Sequence, residues 1–492
     1  MSELLELIDT DPDLAIEKAN ALCADDFDLL ILKASVYVDA GSTIKDAESI
    51  EKGVDIFRRL CEAFPDSQDL KYNLGNALHA KANVVKFETW LKWLEDTHVY
   101  RIEARSLFYS VVASKAASNE IKSQAYTNLA NIHKDSMRWL EAYEYYRCAL
   151  NEIPGNGTAS MGALKTLIYA DGQELGDPES LYIEIRNHAA NILANKNIIA
   201  KYSGTTALNH ILSELEKYDI EPREKAPLDK IDSYVSFIME NNLALSPTVD
   251  ANLQDAGLWD DLYIESVCSK IEDGPYVPAV FSMFNVIKAD YSLARSILYQ
   301  GLNDILDDNG RFAETDDYAI YGVNQSALLL AQRCSMDILD KLAVATLSYL
   351  EIGGARNTDF KKAWFSGSKQ EKKLHTKIRE EIEKGNSALT ALVEISYDLT
   401  EAAGYLKPKS EMRNSSTHRF SILHDTSTKI ENENSCIERF EIGNFEHDAL
   451  MTLKLVRSAI VHFTHMIKLR ENRLNEARES IAFPMDVEHF EP

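Results

Sequence analysis

The chain has 492 residues, 45% of them hydrophobic and 26% charged, and a net charge of −26. The length allows roughly two to four domains with real cores, and the composition is that of a globular chain, not a disordered one. So acidic a surface repels nucleic acid as a whole, which excludes a general nucleic-acid coat and leaves room only for a local basic site.

Cys23, Cys61, Cys148, Cys268, Cys334 and Cys436 are scattered, with no CxxC pair, so a zinc knuckle is not expected. No metal site and no cofactor are expected elsewhere. The N-terminus, MSELLELIDTDPDL, is acidic and lacks a signal-peptide pattern. No apolar run reaches the ~20 residues that span a bilayer; LLILKASVYV is interrupted by Lys33. These features predict a cytoplasmic protein without a membrane segment.

Proline and glycine are sparse, at 12 and 20, and helical periodicity dominates, so the predicted class is all-α. Residues 123–156, SQAYTNLANIHKDSMRWLEAYEYYRCALNEIPGN, resemble one full tetratricopeptide (TPR) unit. Tyr126, Leu129, Ala130, Ala142, Tyr146, Ala149 and Pro154 stand at its packing positions. Small Ala130 and Ala142 let two antiparallel helices approach, and Pro154 ends the second. KYNLGNALHAKA (71–82) resembles another first helix, with Leu74 and Gly75 at close-packing positions. Its partner EARSLFYSVVAS (103–114) follows an inserted VVKFETWLKWLEDTHVY. Segments 29–41 and 53–67 make an earlier pair, and MGALKTLIYADG (from Met161) starts a further unit.

The expected divisions are residues 1–165, an irregular TPR-like solenoid; 166–275, a helical continuation or linker; and 276–492, a helical bundle. A solenoid of this kind offers a groove to a protein or peptide partner. In the bundle, helices are expected over 289–306, 323–354, 386–406, 410–424 and 445–477, with a short hairpin within 431–445.

The fourth of these helices carries EMRNSSTHRF, in which Arg413, Asn414 and His418 have the spacing R-N-x-x-x-H. On a helix, Asn414 and His418 share a face. Arginine offers a rigid donor fork for phosphate. Histidine takes and gives protons near neutral pH. These are the parts for cutting RNA without a metal, and a two-fold dimer would supply a second set. RSAIVH, with Arg457 and His462, has a related spacing but an apolar interior. It reads as core packing, with a supporting phosphate contact by Arg457 as the second reading. RNSSTH is polar and rich in poor helix formers, a local cost that marks sites.

RNSSTHRFSILHD resembles the signature of HEPN domains (higher eukaryotes and prokaryotes nucleotide-binding). The C-terminal half is similar to a bacterial branch with TPR repeats in front of HEPN, through YSLARSILYQ, SMDILDKLAVATLSYLEIG, DFKKAWF, ALTALVEISYDL, MRNSSTHRFSILHD and ALMTLKLVRSAIVHFTHMI. It covers roughly residues 288–475. One departure is Thr417, where that branch commonly has glutamate before the histidine. The resemblance implies a HEPN-type helical bundle that dimerises and a metal-independent endoribonuclease, often a toxin or antiphage effector. Other members are inactive binding modules. It implies Arg413 on the scissile phosphate, His418 as acid/base and Asn414 orienting them. Asp340 and Lys341 are possible supports from the neighbouring helix, or else a salt bridge at the core edge.

KKAWFSGSKQEKKLHTKIR (361–379) is locally positive, with Lys361, Lys362, Lys369, Lys372, Lys373, Lys377 and Arg379 against Glu371 alone. It reads either as an RNA-backbone guide or as a solvated helix face. The expected function is thus a TPR–HEPN endoribonuclease acting on RNA as a homodimer. The alternatives are a TPR adaptor with a dimerising or nucleotide-binding HEPN bundle, or a toxin held by a separate antitoxin.

Overall fold

Side-chain caps fix where most of the N-terminal helices start. Asp11, Asp46, Ser67, Thr89, Ser118 and Asn156 each accept a backbone N–H from the first turn that follows. The computed structural model describes residues 2–22, 26–176, 178–217, 232–246, 260–268, 277–367, 373–425 and 436–477, with the backbone alone at 2–3, 179, 202, 357 and 414–418. Among the described residues are nineteen α-helices and five short strands, in two compact units.

The first unit comprises residues 1–173, 182–223 and 401–405. It contains α1 (Ser2–Thr10), α2 (Pro12–Ala21), α3 (Phe27–Ile44), α4 (Ala47–Ala63), α5 (Gln68–Val84), α6 (Trp90–Ala113), α7 (Asn119–Asp135), α8 (Trp139–Glu152) and α9 (Gly157–Gly172). The greater part of α10 (Pro178–Ala194) also lies here, with α11 (Lys196–Ser203) and α12 (Thr205–Leu215). Helices pair as α3 with α4, α5 with α6 and α7 with α8, and each pair packs on the next.

The α7–α8 pair is built as its sequence requires. Ala130, Ala142 and Ala149 are fully buried, so the backbones close up. The Tyr146 hydroxyl donates to Asn131 Oδ1 at 2.6 Å. The insertion after α5 is largely helical: capped by Thr89, it forms the front of the 24-residue α6. Gly75 lies against Phe108, where an added Cβ would sit 2.8 Å from the ring. Gly75→Ala is therefore expected to destabilise this unit by about 1–3 kcal/mol through overpacking, measured by urea unfolding.

The second unit comprises residues 174–181, 224–400 and 406–492. Its helices are α13 (Ser233–Glu240), α14 (Ala279–Leu302), α15 (Val323–Tyr349), α16 (Thr376–Glu383), α17 (Ser387–Thr400), α18 (Lys407–His418) and α19 (Ile442–Glu476). α15 packs along α14 and against α19, and α17 packs on α19. The core between them includes Tyr291, Leu339, Leu342, Leu392, Ile395, Val456, Ile460 and Phe463. Asn386 ties two of these helices: its Oδ1 accepts Leu389 N–H at the start of α17, and its Nδ2 donates to Met466 O of α19.

Strands β1 (Ala319–Ile320), β2 (Phe365–Ser366), β3 (Lys373–Leu374), β4 (Phe420–His424) and β5 (Ile437–Glu441) form two small sheets. One has the order β1-β4-β5; the other is β2-β3. Two expectations are corrected here. The helix expected over 410–424 ends at His418, and Phe420–His424 is a strand. The segment expected to hold a hairpin instead supplies β5, which runs parallel to β4 with Phe420 opposite Ile437 and His424 opposite Glu441. Parallel strands need a longer crossover than a hairpin turn, and local turn chemistry does not announce such a pairing.

Two histidines are held neutral by the fold. Burial, with Arg138 and Arg105 nearby, pushes the His133 imidazole of the first unit well below its usual range. Burial, with His462 and Lys468, pushes His465 of the second unit down to about 3. Unfolding lets both take protons near pH ~6.5. Each contribution is complete above that pH and is lost as the pH falls towards the folded value, at about 1.4 kcal/mol per unit. Stability should therefore drop between pH ~6.5 and ~4, and His465→Leu should flatten the slope in urea titrations run across that range.

Candidate functional site

α18 begins with Lys407 and Pro408, a residue suited to a first helical turn. Lys409, 3% exposed, anchors it: its ammonium donates to Asp448 of α19 at 2.5 Å. The helix packs against α15 and α17. Ser415, Ser416 and Thr417 are weak helix formers, and the helix stops at the next residue, His418. Arg413, Asn414 and His418 are thus all on one helix, Asn414 and His418 one turn apart. The side chains of Asn414 and His418 lie outside the described residues.

The Arg413 side chain is 27% exposed and reaches across to α15. Its guanidinium NH2 donates to Asp337 Oδ1 at 2.6 Å and lies 2.8 Å from Asp340 Oδ2. Burial alone would lower the Arg413 pKa, but the two carboxylates outweigh it and raise it. Asp340 also accepts the Phe360 N–H at 2.8 Å. Burial raises the Asp340 pKa despite that bond and Arg413. Asp340 therefore touches the motif, while Lys341 does not: it pairs with Asp290. Beside them, Met283, Val286, Ile287, Val344 and Ala345 line a mainly apolar groove of about 300 Å³ with Asp340 and Lys341.

Asp337 is the contact that sequence reasoning missed. It stands three residues before Asp340, and so on the same face of α15. That spacing in SMDILDKLA was the available signal.

Arg457 lies elsewhere. It is 7% exposed and donates to the carbonyls of Ala244 at 2.6 Å and Ser246 at 2.5 Å. The phosphate-contact reading of Arg457 is thereby corrected: its donors bind backbone, because the irregular stretch 241–246 has carbonyls that need partners. In the basic segment, Lys369 and Lys372 lie outside the described residues. Lys373 is exposed on β3. Lys362 pairs with Asp359 at 2.5 Å. Lys377 donates to the carbonyls of Leu350 and Glu351 just past α15, at 3.0 and 2.9 Å. It is a helix C-terminal cap. Arg379 is half-buried on α16. The burial of Lys361 lowers its pKa in the neighbourhood of Asp359, Arg413 and Asp340.

The R-N-x-x-x-H helix thus lies in a helical bundle, with its arginine held by Asp337 and Asp340 of the neighbouring helix. Residues 271–470 match the family model described as LA2681-like HEPN. The C-terminal part of the chain is thus similar to the HEPN-domain family, and the matched segment contains Arg413, Asn414 and His418. No curated protein matches the chain. Among the described residues, no helix is long and apolar enough to cross a membrane.

Proposed function

We propose that the chain is a HEPN endoribonuclease that cuts RNA without a metal, at a site completed by a second copy. The observation that carries this reading is the R-N-x-x-x-H helix within the matched HEPN segment, with Arg413 reaching the carboxylates of Asp337 and Asp340. In the proposed step, the 2′-oxygen attacks phosphorus as a base removes its proton. The bond to the 5′-oxygen breaks, and an acid returns a proton to that oxygen. His418 is the acid/base group, and its counterpart in the second copy takes the complementary role. Arg413 stabilises the charge on the phosphorane, and Asn414 orients the pair. The product is a 2′,3′-cyclic phosphate.

The TPR-like unit serves as the sensor or partner-binding module, in the cytoplasm, and the activity is that of a toxin or antiphage effector. Lys369, Lys372 and Lys373 are the backbone-guiding cations of this scheme. Growth and RNA integrity of bacteria expressing wild type and Arg413→Ala, with and without phage, test the reading; identical behaviour with intact RNA throughout would count against it.

Asp340 acts as a positioning residue, holding Arg413 and the Phe360 N–H together. Asp340→Asn is expected to lower kcat for RNA cleavage by about 10–100-fold through misplacement of Arg413, with a smaller change in KM. Steady-state kinetics on a short RNA measures this. Two observations favour a second reading, a binding-only HEPN module in an adaptor. Arg413 is already engaged by two carboxylates, and Thr417 stands where glutamate is common.

A further inference from the structure

Two carboxylates of α15 meet one end of the Arg413 guanidinium. Its NH2 donates to Asp337 Oδ1 at 2.6 Å and lies 2.8 Å from Asp340 Oδ2. That nitrogen carries two N–H groups, so one goes to each carboxylate. The two acids are not equivalent. Asp340 is 23% exposed and also accepts the Phe360 N–H at 2.8 Å, which fixes its place. Asp337, one turn earlier, is 47% exposed and can be hydrated as soon as it lets go.

The charges nearby come close to cancelling. Lys341 is taken by Asp290, and Lys362 by Asp359. Arg413 and the half-buried Lys361 then stand against Asp337 and Asp340. A phosphate would be a third anion there, and the end of the fork that would grip it in pairs already serves the two carboxylates. With Asp337 displaced or neutral, the same ground holds two cations and one carboxylate, and an N–H of Arg413 is released on the more exposed side.

We propose that Asp337 is an autoinhibitory contact: it occupies Arg413 in the resting chain and gives way to an RNA phosphate, while Asp340 keeps the guanidinium in place. The inference rests on the reading of Arg413 as the phosphate-binding residue, so binding and cleavage are scored separately. The probe is a short fluorescein-labelled oligonucleotide with 2′-O-methyl groups throughout, which 2′-oxygen attack cannot cut. Its anisotropy is followed as the full chain is titrated in at low salt. Loss of one charge a few ångströms from the phosphate should make Asp337→Asn bind about tenfold tighter than the wild type, and the gain should shrink as salt is raised. Asp337→Glu keeps the charge and should bind as the wild type does. Asp340→Asn should show at most a small part of the gain, because it also lets Arg413 drift. Glu17→Gln, the same charge change on an exposed residue of α2, should show none. Adding Arg413→Ala to Asp337→Asn should erase the gain, which a general loss of negative charge would not do. No tightening in Asp337→Asn, an equal gain in Asp340→Asn or Glu17→Gln, a gain that survives Arg413→Ala, or no binding by any of these proteins up to about 100 µM would overturn the inference. Tighter binding by Asp337→Asn with no cutting of ordinary RNA by any variant would uphold it and sink the nuclease reading instead. Cutting by the wild type with rate and affinity both unchanged in Asp337→Asn would sink the autoinhibitory contact alone.

Discussion

His418→Ala is expected to reduce RNA cleavage by the purified protein about a hundredfold to ten-thousandfold, the usual worth of a positioned acid/base group. Arg413→Ala is expected to cost about a hundredfold to a thousandfold, as loss of a preorganised charge contact does. Arg413→Lys should not restore the rate, because an ammonium lacks the planar, rigid fork of donors that matches phosphate oxygens in pairs. Neither change should unfold the protein. Arg413 is partly exposed, and its partners Asp337 and Asp340 are 47% and 23% exposed, so both carboxylates can be solvated or protonated once it is gone. The contrast with stability makes the prediction specific: kcat should collapse while the unfolding curve barely moves.

The largest stability effect is expected at Asp260. Arg295 of α14 is 7% exposed in its side chain and grips Asp260 with two parallel bonds, NH1 to Oδ1 and NH2 to Oδ2, both 2.8 Å. The same guanidinium donates to Leu243 O at 2.9 Å, and Tyr234 OH lies 3.1 Å from its Nε. Burial by itself would raise the Asp260 carboxyl, but Arg295 outweighs it and holds the group below its usual range. Asp260→Ala leaves a buried guanidinium without its counter-charge and should destabilise the second unit by about 3–5 kcal/mol. Replacing both partners, Asp260→Ala with Arg295→Met, should cost much less, because no charge is then stranded. Urea unfolding of the three variants measures the difference, and a double variant as unstable as Asp260→Ala would contradict the account.

Much of this was legible in the chain. Ala130, Ala142 and Ala149 marked a helix pair because only small residues let two backbones close, and that spacing is local. Long amphipathic stretches likewise announced α14, α15 and α19. The end of α18 was less legible: its weak formers lowered helix propensity, but only the pairing of Phe420–His424 with two distant strands decided where the helix stopped. Long-range pairings explain the other differences. Arg457 is claimed by carbonyls some two hundred positions earlier in the chain, and Lys377 by the end of α15. Lys341 turned to Asp290, and Asp337 was the acid that met Arg413 together with Asp340. In each case the residue type was correct for an ion pair or a cap, and the partner was set by the bundle.

The central claim is that the helix carrying Arg413, Asn414 and His418 cuts RNA by attack of the neighbouring 2′-oxygen. Its most direct test is the chemistry of the fragment ends made by purified full-length protein in EDTA, beside His418→Ala. The account predicts 2′,3′-cyclic phosphate ends from the wild type and almost none from the variant. Ends carrying a free 3′-hydroxyl, or equal cutting by the two proteins, would contradict it.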